Sequence, residues 1–147
     1  MAQFSAGKTA LARQVWARMF DYLMRTAPER TRSLGRRGLT PNDARALSTL
    51  GAAAGRTMRS LAEEWECDAS NATWIVDRLE RLGLAERRTV PHDRRVKLVA
   101  LTSRGEKMKA ELLREFHTPP PDLLTLAERD LKLLERLLQK LPAPPGP

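Results

Sequence analysis

Arginine and small polar residues crowd one stretch of this chain. Between residues 78 and 97 stand Arg78, Arg81, Arg87, Arg88, Arg94, Arg95 and Lys97, against Glu80, Glu86 and Asp93, with Asp77 at the border. A guanidinium is a planar fork of donors that matches phosphate oxygens, and arginine is electrostatically favoured in a narrow minor groove. Just before this stretch come Ser70, Asn71, Thr73 and Trp74. Small polar groups at a helix start can exchange hydrogen bonds with base edges in a major groove while the helix amides face phosphate. Arg59 and Ser60, at the start of the preceding segment, are placed to touch phosphate. Each feature has a plainer reading: solvated surface charge for the arginines, ordinary helix-start polarity for Ser70 and Thr73. Their succession, polar helix start and then cationic arm, favours contact with a polyanion.

Charge over the whole chain points the same way. Lys and Arg number 26 against 18 Asp and Glu in 147 residues, a formal net charge of +8. Such a balance favours DNA, RNA or an anionic membrane face. Catalytic signatures are missing: no GxSxG elbow, no HExxH pair, no GxxxxGK loop and only two histidines, so no enzyme is expected. His92 and His117 have no ligand-spaced partner, and no metal or cofactor is expected. Cys67 is the single cysteine. It can form no internal disulfide, which suits a reducing cytoplasm, and beside Trp65 it reads as a packed core thiol. The N-terminus has no apolar signal core, and no stretch approaches the roughly 18 apolar residues of a membrane span. A cytoplasmic protein is expected.

Several elements must hold these residues in place. Residues 8 to about 33 read as a helix with a broad apolar stripe (Leu11, Val15, Met19, Leu23, with Trp16, Phe20 and Met24 alongside), which Pro28 is expected to shorten or kink. Gly35 and Gly38 interrupt it. Thr40-Pro41 starts a second helix with Ala44, Leu47 and Leu50 inward, and Gly51 stops it. After the small-residue linker AAAGRT come two short helices: one holding Leu61, Ala62 and Trp65, then a turn at Cys67-Asp68, then one through Ala72, Ile75, Val76 and Leu79, capped at Gly83. Two short amphipathic helices so joined are the sequence form of a helix-turn-helix. AERRTV and RRVKLVAL, separated by Pro91-His92-Asp93, read as a β-hairpin. Thr102 caps a long helix with Met108, Leu112 and Phe116 on one side, and Pro119-Pro120-Pro121 stops it. A last helix from Asp122 to about Leu141 carries Ala127, Leu131, Leu134, Leu138 and Leu141, widened by Leu126, Leu133 and Leu137. So wide a stripe needs a large partner surface. The fold class is therefore mainly α with a small β-hairpin wing.

Residues 76–85 (VDRLERLGLA) and 91–105 (PHDRRVKLVALTSRG) resemble the multiple antibiotic resistance regulator (MarR) family, with its DRLE-x-x-GL helix end and its D-x-R wing leading into LT-x-x-G. The match in order and spacing runs over about residues 40 to 141. The resemblance implies a winged helix-turn-helix with N- and C-terminal dimerisation helices. Residues 1–39 and 102–141 would dimerise and 40–101 would form the DNA-binding lobe, all in one continuous domain; the tail PAPPGP, 142–147, reads from its own residues as disordered. It implies a homodimer on double-stranded DNA, repressing transcription from a near-palindromic operator and relieved by a small-molecule effector. By that analogy Ser70, Asn71, Thr73 and Trp74 face the major groove and Arg95 at the wing tip reaches the minor groove; Arg78, Arg87, Arg88 and Arg94 are further candidate DNA contacts from their charge and position. Asp93 is the wing acid that holds an arginine in place. Trp74 departs from the family pattern, where many relatives carry a smaller or basic residue, and points to packing on sugar or thymine methyls. Trp16, Phe20, Leu47 and Met108 are candidates for an effector pocket, with ordinary core as the plainer reading. The alternative from another class is a winged-helix interaction module that dimerises without reading DNA; the basic wing argues against it.

Overall fold

The computed structural model describes residues 5–142, with the side chain of Arg94 outside the description. The expected tail, 142–147, therefore lies almost wholly outside the described residues. Among the described residues six α-helices and three short strands follow one another, and the chain divides between Thr40 and Pro41 into two compact units.

The first unit is one helix, α1 (Ala6–Arg36), capped by Ser5, whose hydroxyl accepts from the Lys8 amide at 3.3 Å. It runs on through Pro28 rather than stopping there. Proline removes one amide from the ladder, the one that would meet Met24 O; close by, Thr26 Oγ1 donates to Tyr22 O and Leu23 O, and Arg30 Nη2 donates to Leu23 O at 2.8 Å. Gly35 stays inside the helix, and the stop is Gly38, at φ +67°, with the Leu39 amide reaching back to Leu34 O. Leu11, Val15, Trp16, Phe20, Leu23 and Met24 are all exposed along α1.

The second unit holds the remaining elements. Helix α2 (Pro41–Thr49) leads to strand β1 (Arg56–Thr57), then α3 (Met58–Glu64) and α4 (Ala69–Arg81), strands β2 (Ala85–Val90) and β3 (Asp93–Leu101), α5 (Ser103–Phe116) and α6 (Glu128–Leu138). The expected hairpin is part of a three-stranded antiparallel sheet in the order β1-β3-β2. Two residues of the small-residue linker pair with β3, Arg56 opposite Val99 and Thr57 opposite Leu98. A two-residue strand has no alternation to betray it. The expected last helix is also broken: Leu123–Thr125 form a single 3-10 turn, Leu126 and Ala127 are extended, and only then does α6 begin.

Leu47, Leu50, Leu61, Val76, Leu79, Leu84, Val99 and Leu101 are buried almost completely and form the core of this unit. Trp65 closes one side, its Nε1 donating to Thr49 Oγ1 at 3.0 Å. Local chemistry sets the joints. Asp68 caps α4 by accepting from the Asn71 amide at 2.7 Å, and Gly83 ends it at φ +70°. Thr102 accepts from the Gly105 amide and donates to Gly83 O, locking the start of α5 to the end of α4. A Cβ at Gly105 would lie 1.9 Å from the carbonyl oxygen of Leu84, so the last residue of the LT-x-x-G run must be glycine for this approach. By contrast α6 buries nothing, and Leu133, Leu134, Leu137 and Leu138 stand exposed.

Candidate nucleic-acid interface

Helix α4 buries Ala72, Ile75, Val76 and Leu79 on one side. At 100° per residue, the line opposite that face holds Ser70, Trp74, Asp77 and Arg81. Ser70, Trp74 and Arg81 are exposed there, with Asn71 and Thr73 on the flanks. Thr73 donates its hydroxyl to Ala69 O at 2.8 Å, leaving its oxygen lone pairs outward. Polar atoms thus crown a helix whose inner half is fixed by apolar packing.

The arginines divide into two kinds. Arg78, expected from its position to lie near phosphate, turns inward: its Nε donates to both carboxylate oxygens of Asp43, at 3.1 and 3.0 Å, and Asp43 is fully buried. Arg87, on β2, clamps the wing to α4. Its Nη2 donates to Asp77 Oδ1 at 2.7 Å, its Nη1 pairs with Glu80 Oε2, and its amide donates to Glu80 Oε1 at 3.0 Å. Arg88 pairs with Glu86 Oε1 at 2.7 Å and donates to Ala52 O at 2.8 Å. Arg59 is exposed and pairs with Glu63 one turn on, and Ser60 accepts from Arg56 Nε at 3.0 Å.

At the wing tip the pattern reverses. Asp93 Oδ1 accepts from the Arg95 backbone amide at 2.9 Å, shaping the turn through the main chain. The Arg95 side chain is exposed, and no hydrogen bond or ion pair holds it among the described residues. The same is true of Arg81, which the pattern of wing arginines does not single out as a site residue. Its place is legible instead in the spacing of Ser70, Trp74, Asp77 and Arg81 along one helix line. His92 is exposed beside Asp93, and His117 is exposed after α5. Among the described residues no group of three His, Cys, Asp or Glu could hold a metal ion.

Cys67 is only half-buried, short of the core position expected for it. It lines a small hollow with Asn42, Arg45, Ala46, Trp65, Asn71 and Ile75. Of the four pocket candidates, Trp16 and Phe20 belong to the first unit, exposed, with ring centroids 6.4 Å apart. Leu47 is core and Met108 half-buried in the second. An open groove of about 740 Å³ lies in the second unit, between the α2–β1 loop, α3 and α5, and neither Leu47 nor Met108 lines it. Its floor is pinned by Lys109 Nζ to Leu50 O at 2.7 Å and by the Ala52 amide to Glu106. No helix among the described residues is long and apolar enough to cross a membrane.

Residues 37–96 match the MarR family. Among solved structures, the chain is similar to YusO of Bacillus subtilis, 25% identical, over 94% of this chain and 100% of that one, with a TM-score of 0.70. It shares its fold with the multiple antibiotic-resistance repressor (MarR) of Listeria monocytogenes, 19% identical over 90% and 93% of the two chains, TM-score 0.73. It also shares its fold with the MepR chain of an S. aureus MepR–DNA complex, 20% identical over 88% and 99%, TM-score 0.60. No curated protein matches.

Proposed function

We propose, from the premise that residues 37–96 carry the chain into the MarR family, that the protein is a homodimeric, sequence-specific DNA-binding regulator of transcription in the cytoplasm. The observation that carries this reading is the pairing of an outward polar line on α4 with an unpaired Arg95 at the tip of a wing clamped to that helix by Arg87. A rigid pair of this kind suits simultaneous contact with a major groove and the neighbouring minor groove, because neither part must be ordered on binding. MepR, which has the same fold, has been solved as a DNA complex, and this adds support.

Dimerisation follows from what the two end helices leave uncovered. The stripe of Trp16, Phe20 and Leu23 on α1 and that of Leu133, Leu134, Leu137 and Leu138 on α6 are exposed apolar surfaces far beyond scattered single residues. A second copy of the chain is the occupant this reading assigns to them. Two recognition helices then address half-sites about 10 base pairs apart, one helical turn. Repression follows from blocking polymerase access. Relief by a small molecule follows if the molecule binds one separation of the two lobes better than the other.

Fluorescence-anisotropy titration across a salt series, with duplexes taken from the region upstream of the gene and with random duplexes, tests the reading. Tighter binding to the former, with affinity falling steeply with salt, is the expected result. Equal indifference to both in dilute buffer sinks it and leaves the interaction-module alternative.

A further inference from the structure

Trp74 lies outside the core. It is 52% exposed and makes no hydrogen bond or ring contact among the described residues, whereas Trp65 is buried and bonded to Thr49. It sits in the middle of the outward line of α4, one turn after Ser70 and one turn before Asp77. The line farthest from the core enters a groove most deeply, where base edges rather than phosphates lie.

An indole offers one N–H donor, no acceptor and a broad apolar face. It cannot make the bidentate contacts by which arginine reads guanine and asparagine reads adenine. The apolar feature of the major groove is the C5 methyl of thymine. We infer that Trp74 is a specificity-determining residue, selecting one thymine in each half-site by laying its indole against that methyl group. This rests on the sequence-specific DNA-binding reading above. Contact with sugar, or an N–H bond to phosphate, would not distinguish bases.

The test begins with duplexes enriched by the wild-type chain from a random library. Each thymine is then replaced, one at a time, by deoxyuridine, which lacks only the methyl. The wild type is expected to lose about fourfold in affinity at one position per half-site, the contribution of burying a single methyl, and about 16-fold when both are replaced. Trp74→Ala should bind thymine and uracil duplexes equally and cease to enrich thymine at that position. A wild type indifferent to every replacement overturns the inference, and so does a Trp74→Ala chain that keeps the full penalty. A wild type that enriches no sequence at all refutes the parent reading and this one with it. Because the deoxyuridine series is run on the unaltered protein, its outcome does not depend on the folding of the variant.

Discussion

The junction of the wing with α4 and the rim of the same reading head use one residue type for opposite ends. At the junction, Arg78 and Arg87 meet acids from two directions: Asp43 below the helix, Asp77 and Glu80 along it. At the rim, Arg81 and Arg95 stand exposed with no partner among the described residues. The junction arginines commit their charge to internal order, because a buried carboxylate without a cation is costly. The rim arginines carry no such commitment: an unpaired exposed guanidinium would sacrifice no internal bond on meeting an external anion. Counting arginines in the hairpin thus overstates the charge available to DNA and understates how rigidly it is held.

The sharpest break would come at the inner end. Arg78→Ala leaves the fully buried Asp43 without this partner and should cost about 3–5 kcal/mol of folding stability, read from urea unfolding. A loss confined to DNA affinity, with stability intact, would move Arg78 to the rim. Arg87→Ala should cost about 2–3 kcal/mol of stability, since a part-buried charged clamp is lost. Amide hydrogen exchange should show strand β2 opening with it; a chain that unfolds as before would dissolve the distinction between the regions. Arg95→Ala should do the reverse. Its midpoint of unfolding should stay put, while operator affinity falls by about 1–3 kcal/mol and the salt dependence becomes shallower. The smallest effect is expected in the turn between α3 and α4, outside both regions, where Glu66 adopts φ 52° without being glycine. Glu66→Gly should relieve that conformation and raise stability by no more than about 1 kcal/mol. A rise in DNA affinity with it would mean that turn strain, and not the rim, sets the reading geometry.

Much of the fold was legible because its joints are local. Asp68 caps α4 within three residues, Gly83 stops it, and Thr102 starts α5, each an interaction of close neighbours that spacing reveals. Pro28 misled for a complementary reason. Its missing amide is local and costs the ladder a single bond, while the helix on either side runs on to Arg36. Strand β1 was hidden because it consists of two residues whose only reason to extend is a partner some forty positions later. The break before α6 was hidden too, since an unbroken leucine rhythm runs through Leu126 and Ala127 while the backbone there is extended.

By itself the order of residues determined the helix-turn-helix, the wing that follows it, the wide apolar stripes of the first and last helices, and the excess of positive charge. Those follow from periodicity, caps and composition, which act over a few residues. Only the tertiary structure decided which arginines face outward. Whether a guanidinium is committed or free depends on carboxylates brought beside it from distant positions, as Asp43 is brought to Arg78, and electrostatic pairing of that kind is a property of the packed chain, not of any stretch of it.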